Sequence, residues 1–208
     1  MYRTTTYRKL LNLTKFYRIL QGGMSSGKTI ACLMYALVYA QNYDGRLFTV
    51  ATDTVPNLRN GASRDWERVL AESNERNNFD YRATENIWTY KPTGTRIEFL
   101  ALDDPLKARG ARRDALYVNE ANRLRYDTFD QLASRTRDFV IIDFNPSGRF
   151  WAHDELLRHY RDECDFFITT YKDNEALSPR EVRNIERHDH NSNWWRVYGL
   201  GQIGELEN

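Results

Sequence analysis

The sequence predicts an α/β fold: a doubly wound, mainly parallel sheet with helices on both faces and an antiparallel edge hairpin. Three observations point to it. A G-x-x-x-x-G-K-T stretch, Gly22 to Thr29, lies between a short strand and a helical segment. Apolar runs of strand length alternate repeatedly with segments of helical period. The most strongly apolar run, Phe139-Val140-Ile141-Ile142-Asp143-Phe144, suits the middle of a parallel sheet covered on both sides.

Leu10, Leu11, Leu13 and Phe16 fit a short amphipathic lead-in over residues 7–16, and Tyr17-Arg18-Ile19-Leu20 is the first strand. Phe16 and Tyr17 are open to two readings, stacking on a nucleotide base or packing in the core. Ile30, Leu33, Met34, Leu37 and Val38 recur at helical spacing over 29–43, the helix that the glycine-rich loop opens. Residues 46–51 form a buried strand and 56–73 a helix with Trp66, Val69 and Leu70 on one face. Strands over 81–84, 87–90 and 96–100, the last two joined by Lys91-Pro92-Thr93-Gly94, read as a hairpin at an antiparallel edge rather than in the parallel core. There follow a strand over 115–118, a helix over 126–135, the strand over 139–144 ended by Asn145-Pro146, and a helix over 151–160. A strand over 166–171 and closing helices over 179–188 and 194–198 complete the alternation. No repeat or linker interrupts it, so one domain over 1–208 is expected.

The composition bounds the partners. The 208 residues are 41% hydrophobic and 28% charged, enough for one three-layer domain with a core. A net charge of +1 announces no nucleic acid, and such a partner must be argued from a local patch. Cys32 and Cys164 lie far apart without metal or C-x-x-C spacing, which points to a reducing compartment. The absence of an apolar signal core or membrane-length run leads to the expectation of a cytosolic protein.

The glycine-rich stretch carries the chemistry. Gly22, Gly23, Met24, Ser25, Ser26 and Gly27 let the backbone curl so that successive N–H groups face inward, and the helix dipole adds to this anion site. ATP is expected there, with Lys28 reaching its β- and γ-phosphates and the Thr29 hydroxyl on the Mg²⁺ that bridges them. Hydrolysis needs a carboxylate at the tip of a second parallel strand, and Glu120, after the 115–118 strand, occupies that place. Asn119 precedes it, able to touch a metal only through water. If the 139–144 strand lies between the loop strand and the 115–118 strand, the Asn145 amide faces the γ-phosphate and senses hydrolysis; Asn-Pro also opens turns. Lys107-Ala108-Arg109-Gly110-Ala111-Arg112-Arg113 is either a solvated loop or a functional one, with Arg109 as an arginine finger and its neighbours on nucleic-acid phosphates. The histidines lack a third metal ligand at useful spacing.

Together these stretches resemble the N-terminal ATPase domain of the large terminase subunit of tailed bacteriophages. The likeness is carried by Gly22 to Thr29, by Asp103-Asp104-Pro105-Leu106-Lys107-Ala108-Arg109-Gly110, by Tyr117-Val118-Asn119-Glu120-Ala121-Asn122, by Asp143-Phe144-Asn145-Pro146-Ser147 and by Asn193 to Gln202. The resemblance implies a P-loop ATPase of the additional-strand type that drives double-stranded DNA into a procapsid. The implied partners are a portal protein, a small terminase subunit and a homo-oligomeric ring in the host cytoplasm. It matches Glu120 to the catalytic glutamate, Lys28 and Thr29 to the nucleotide, Arg109 to a finger reaching a neighbouring subunit's ATP, and Asn145 to a coupling motif. Asn119 departs from the usual aspartate. The family's C-terminal nuclease has no room before Asn208, so a shortened form without cleavage activity is expected. The alternatives are a non-catalytic nucleotide-binding assembly module, another DNA translocase or helicase-like ATPase, and a small-molecule kinase.

Overall fold

Thr4 accepts the Tyr7 N–H and so caps helix α1 (Thr5–Leu11), which packs beside the strand that leads to the glycine-rich loop. The computed structural model describes residues 3–205, apart from the side chain of Pro105. Strand β1 (Tyr17–Gly22) runs into that loop, and α2 (Lys28–Asn42) leaves it. After β2 (Leu47–Thr52) come α3 (Val55–Leu58) and α4 (Arg64–Glu72), joined by a π turn over Arg59–Ser63 where an unbroken helix is expected. Asn60 and Gly61, both weak helix formers, lie in that turn and favour the bulge.

The chain continues as a meander of β3 (Phe79–Arg82), β4 (Ile87–Tyr90) and β5 (Arg96–Ala101). Next are β6 (Arg113–Val118), α5 (Tyr126–Ala133) and β7 (Thr136–Phe144). The segment expected as helix over 151–160 is a π turn, Ala152–Leu156, running into the short α6 (Leu157–His159). Strand β8 (Cys164–Thr169), then α7 (Pro179–Glu186) with a Ser178/Glu181 capping box, and a π turn over Trp195–Gly199 close the fold.

The described residues build one eight-stranded sheet in the order β3-β4-β5-β2-β6-β7-β1-β8. From β5 to β8 every pairing is parallel, and β3 and β4 form the antiparallel edge. The edge is therefore antiparallel as expected, while β5, the last strand of the meander, pairs parallel with β2 and belongs to the core. Strand β3 starts at Phe79, two residues before the expected position, because Phe79 pairs with Tyr90 across a turn containing left-handed Asn86.

Successive strand residues alternate between two cores. Leu20, Phe48, Val50, Tyr117 and Ile141 pack on one face with α1, α2 and α4, and Ile19, Ala51, Leu116, Val118, Val140 and Ile142 on the other with α5 and the 151–157 segment. Phe16 and Tyr17 join the second core from the end of β1 opposite the loop, which settles their two readings for packing. Among the described residues no helix is long and apolar enough to cross a membrane.

Candidate functional site

The loop turns sharply because its backbone is forced into the left-handed region at Ser25 (φ 56°) and Gly27 (φ 80°). Four hydrogen bonds brace it from outside. The Gly23 N–H donates to Thr169 O at 3.0 Å and the Met24 N–H to Tyr198 O at 2.9 Å. Thr6 Oγ1 donates to Ser26 O at 2.6 Å, and Asn174 Nδ2 to Ser25 O at 2.8 Å. A Cβ on Gly23 would lie 2.2 Å from Tyr198 O, so only glycine lets the C-terminal segment approach this closely. That segment is held in turn by Gln21, whose Nε2 donates to Gly201 O at 2.8 Å while its Oε1 lies 2.9 Å from His153 Nε2. Neither Gln21 nor His153 is legible from motif or spacing.

Lys28 opens α2 with its side chain buried under the loop. Its ammonium contacts Gly22 O, Gly23 O, Ser26 Oγ and, at 3.0 Å, Asn145 Oδ1. Burial pushes its pKa down, and the nearby Asp143 carboxylate opposes the shift. Strand β7 does lie between β6 and β1, the condition set for Asn145 to face the loop.

Glu120 follows β6 in a left-handed conformation (φ 53°, ψ 52°), which costs an ordinary residue roughly 1–2 kcal/mol. Its N–H donates to Asp143 Oδ1 at 3.0 Å, and this bond holds the kink. Its carboxylate pairs with Arg123 at 2.9 Å, half exposed. Burial foremost, with Asp143 and Asp53 adding, raises its pKa from the ordinary 4.5, and Arg123 opposes. Asn119 donates from Nδ2 to Thr29 Oγ1 (3.3 Å), Tyr117 OH (3.0 Å) and Asp143 Oδ1 (3.1 Å).

Loop residues 23–30, Glu120, Asp143 and Asn145 line one cleft of about 380 Å³. Helix α4 adds Asp65 and Arg68, and the segment before α7 adds Asn174 and Leu177, residues that no sequence signal marked. Arg109 lies elsewhere, exposed on a 3₁₀ turn with its Nε 3.4 Å from Gln131 of α5. The basic run is split: Lys107 pairs with Asp103, whereas Arg113 is buried and donates to Thr49 Oγ1 and Leu132 O. Arg112 lies with Arg135 and Arg137 around a separate depression at the start of β6 and β7, away from the strand ends that carry the loop and Glu120.

Comparison with known proteins adds a family to this geometry. The large terminase from a thermophilic bacteriophage superposes with a TM-score of 0.82 at 18% identity, covering 99% of this chain and 54% of that one. The same terminase has been solved in complex with ADP and with ATP-γ-S. The Thermus phage P74-26 large terminase ATPase domain matches at a TM-score of 0.69 and 14% identity, over 95% of this chain and 92% of that one. The HK97 bacteriophage large terminase matches at 0.71 and 10%, over 96% and 48%. The chain thus spans about half the length of the first of these terminases. No curated protein matches it in sequence. The family of phage terminase large subunits, however, matches residues 14–202, a span that takes in the loop, Glu120, Asn145 and the segment that braces them. The chain belongs to the phage terminase large subunit family.

Proposed function

We propose that this chain is the ATPase motor domain of a viral large terminase, hydrolysing ATP to move double-stranded DNA into a procapsid. The observation that carries the reading is the convergence of Lys28, Thr29, Glu120 and Asn145 on one cleft beneath a phosphate-shaped loop. The loop amides and Lys28 bind and orient the polyphosphate, and Thr29, with a carboxylate beside it, suits a hard cation such as Mg²⁺. Thr29 and the neighbouring carboxylate would hold the cation, which would supply charge neutralisation to the bound polyphosphate. Glu120 orients water and takes its proton. Asn145, hydrogen-bonded to Lys28, loses or gains that contact as Lys28 turns to phosphate, which couples the nucleotide state to β7.

Arg109 stands outside the cleft of its own chain, which accords with a finger acting on a neighbour in a ring. Portal protein and small terminase subunit are the further partners, and the motor acts in the host cytoplasm. A second reading, a nucleotide-binding assembly module without turnover, is favoured only by Asn119 in place of aspartate.

The test is ATP turnover against protein concentration for the unmodified chain, Glu120→Gln, Arg109→Ala and an equimolar mixture of the two variants. Specific activity is expected to rise with concentration, each variant to lose at least about a hundredfold, and the mixture to regain activity that neither has alone. A linear rate indifferent to Arg109 would remove the intersubunit finger. Nucleotide binding without turnover that Glu120→Gln leaves unchanged would favour the assembly module.

A further inference from the structure

Asn119 cannot stand in for the aspartate that it replaces, because its amide faces the wrong way. Its Nδ2 is 3.1 Å from Asp143 Oδ1. Turning the amide over would set a carbonyl oxygen against a carboxylate oxygen, so charge fixes the NH₂ inward. Its Oδ1 faces Gly61, where a Cβ would lie 3.9 Å away. Asn119 therefore turns a donor toward Thr29 and Asp143, whereas the water around a cation needs an acceptor.

The acceptor lies one strand over. Val118 of β6 pairs with Ile142 of β7, so the next residues, Asn119 and Asp143, sit side by side at the same level of the sheet. Asp143 is buried at 2% exposure, yet it lines the cleft with Thr29 and Glu120. Tyr117 OH, Asn119 Nδ2 and the Glu120 N–H all donate to Oδ1, and among the described residues none donates to Oδ2. Asp53, which also acts on Glu120, is held by Thr52 and Asn57 and does not line the cleft, and Asp65 of α4, which does line it, faces the charges of Arg64 and Arg68.

We propose that Asp143 of β7, rather than the residue before Glu120, supplies the carboxylate that supports a divalent cation beside Thr29. Asn119 is the neutral bridge between them, its one amide nitrogen within 3.3 Å of Thr29 Oγ1 and 3.1 Å of Asp143 Oδ1. Asp143 is thereby a positioning residue twice over, through its carboxylate charge, with Oδ2 free of donors among the described residues, and through the Oδ1 bond that keeps the Glu120 backbone kinked. The inference rests on the nucleotide-site reading above.

The test separates the two. Mn²⁺ binding is followed by electron paramagnetic resonance at saturating ADP, and ADP binding alone is measured in EDTA. Asp143→Asn is expected to weaken Mn²⁺ at least about tenfold with ADP binding in EDTA unchanged, and combining it with Asn119→Asp to restore Mn²⁺ to within about threefold. Asn119→Ala is expected to leave Mn²⁺ within about threefold. A folded Asp143→Asn variant with unchanged Mn²⁺ affinity, or a tenfold loss in Asn119→Ala, overturns the assignment. Should melting curves show Asp143→Asn unfolded, Asn119→Ala decides. Failure of the unmodified chain to bind ADP in EDTA would instead overturn the nucleotide site itself.

Discussion

A base must be unprotonated to take a proton, so in the role proposed for Glu120 the acid limb of turnover is expected to read its carboxyl directly. Burial holds that carboxyl above its ordinary 4.5, and the Arg123 guanidinium 2.9 Å away limits the rise. Below its raised pKa Glu120 carries the proton, so turnover is expected to fall there and the limb to lie above the usual carboxylate range. Arg123→Ala removes its ion-pair partner and is expected to move the limb to higher pH, with the plateau rate preserved, in kcat/KM measured from about pH 5 to 8. A limb that stays put would show that the pair is screened by water. At this scale the sequence was legible wherever a motif fixes spacing: Lys28, Thr29 and Glu120 all reach the cleft. Asp143 reads in sequence as one member of an apolar strand with no role of its own, because its importance comes from lateral register with Asn119, which one strand's pattern does not encode.

The elements around the loop matter through the contacts that join them. The π turn at Ala152–Leu156 presents His153 to Gln21, and Gln21 holds the backbone at Gly201. His153 Nδ1 accepts the Phe150 N–H at 3.3 Å, so Nε2 carries the hydrogen and donates to Gln21 Oε1. Burial and Arg149 push the ring's pKa below 6.5. As pH falls through about 6.5 the unfolded chain takes up a proton that the folded chain refuses, so this residue lowers stability until the depressed folded pKa is reached. His153→Gln is therefore expected to flatten the decline of Tm between about pH 7 and 5, while costing on the order of 1 kcal/mol at neutral pH for the lost hydrogen bond. An unchanged slope would place the acid sensitivity elsewhere. The helical period predicted these segments but not their π turns, since a single widened turn is too short to show in a periodic pattern.

Across the whole molecule the strand order does the assembling. Placing β7 between β6 and β1 brings Asp143 and Asn145 from one stretch of chain and Glu120 from another to the loop, an arrangement that sequence reading could state only as a condition. The parallel core was legible because both faces of its strands are apolar; the membership of β5 was not, since a hairpin pattern fixes the turn and leaves the far partner open. The braces on the loop have a further consequence for amide hydrogen exchange. The Gly23 and Met24 N–H groups are committed to Thr169 O and Tyr198 O, so they belong to the frame and stay protected in any ligand state. The amides of Ser25, Ser26, Gly27, Lys28 and Thr29 lie beyond that frame at the start of α2, and they are expected to slow by at least about tenfold when ADP is added. Slowing at Gly23 and Met24 instead would mean that the frame opens whenever nucleotide leaves, making the two carbonyls at Thr169 and Tyr198 a latch rather than a fixed edge.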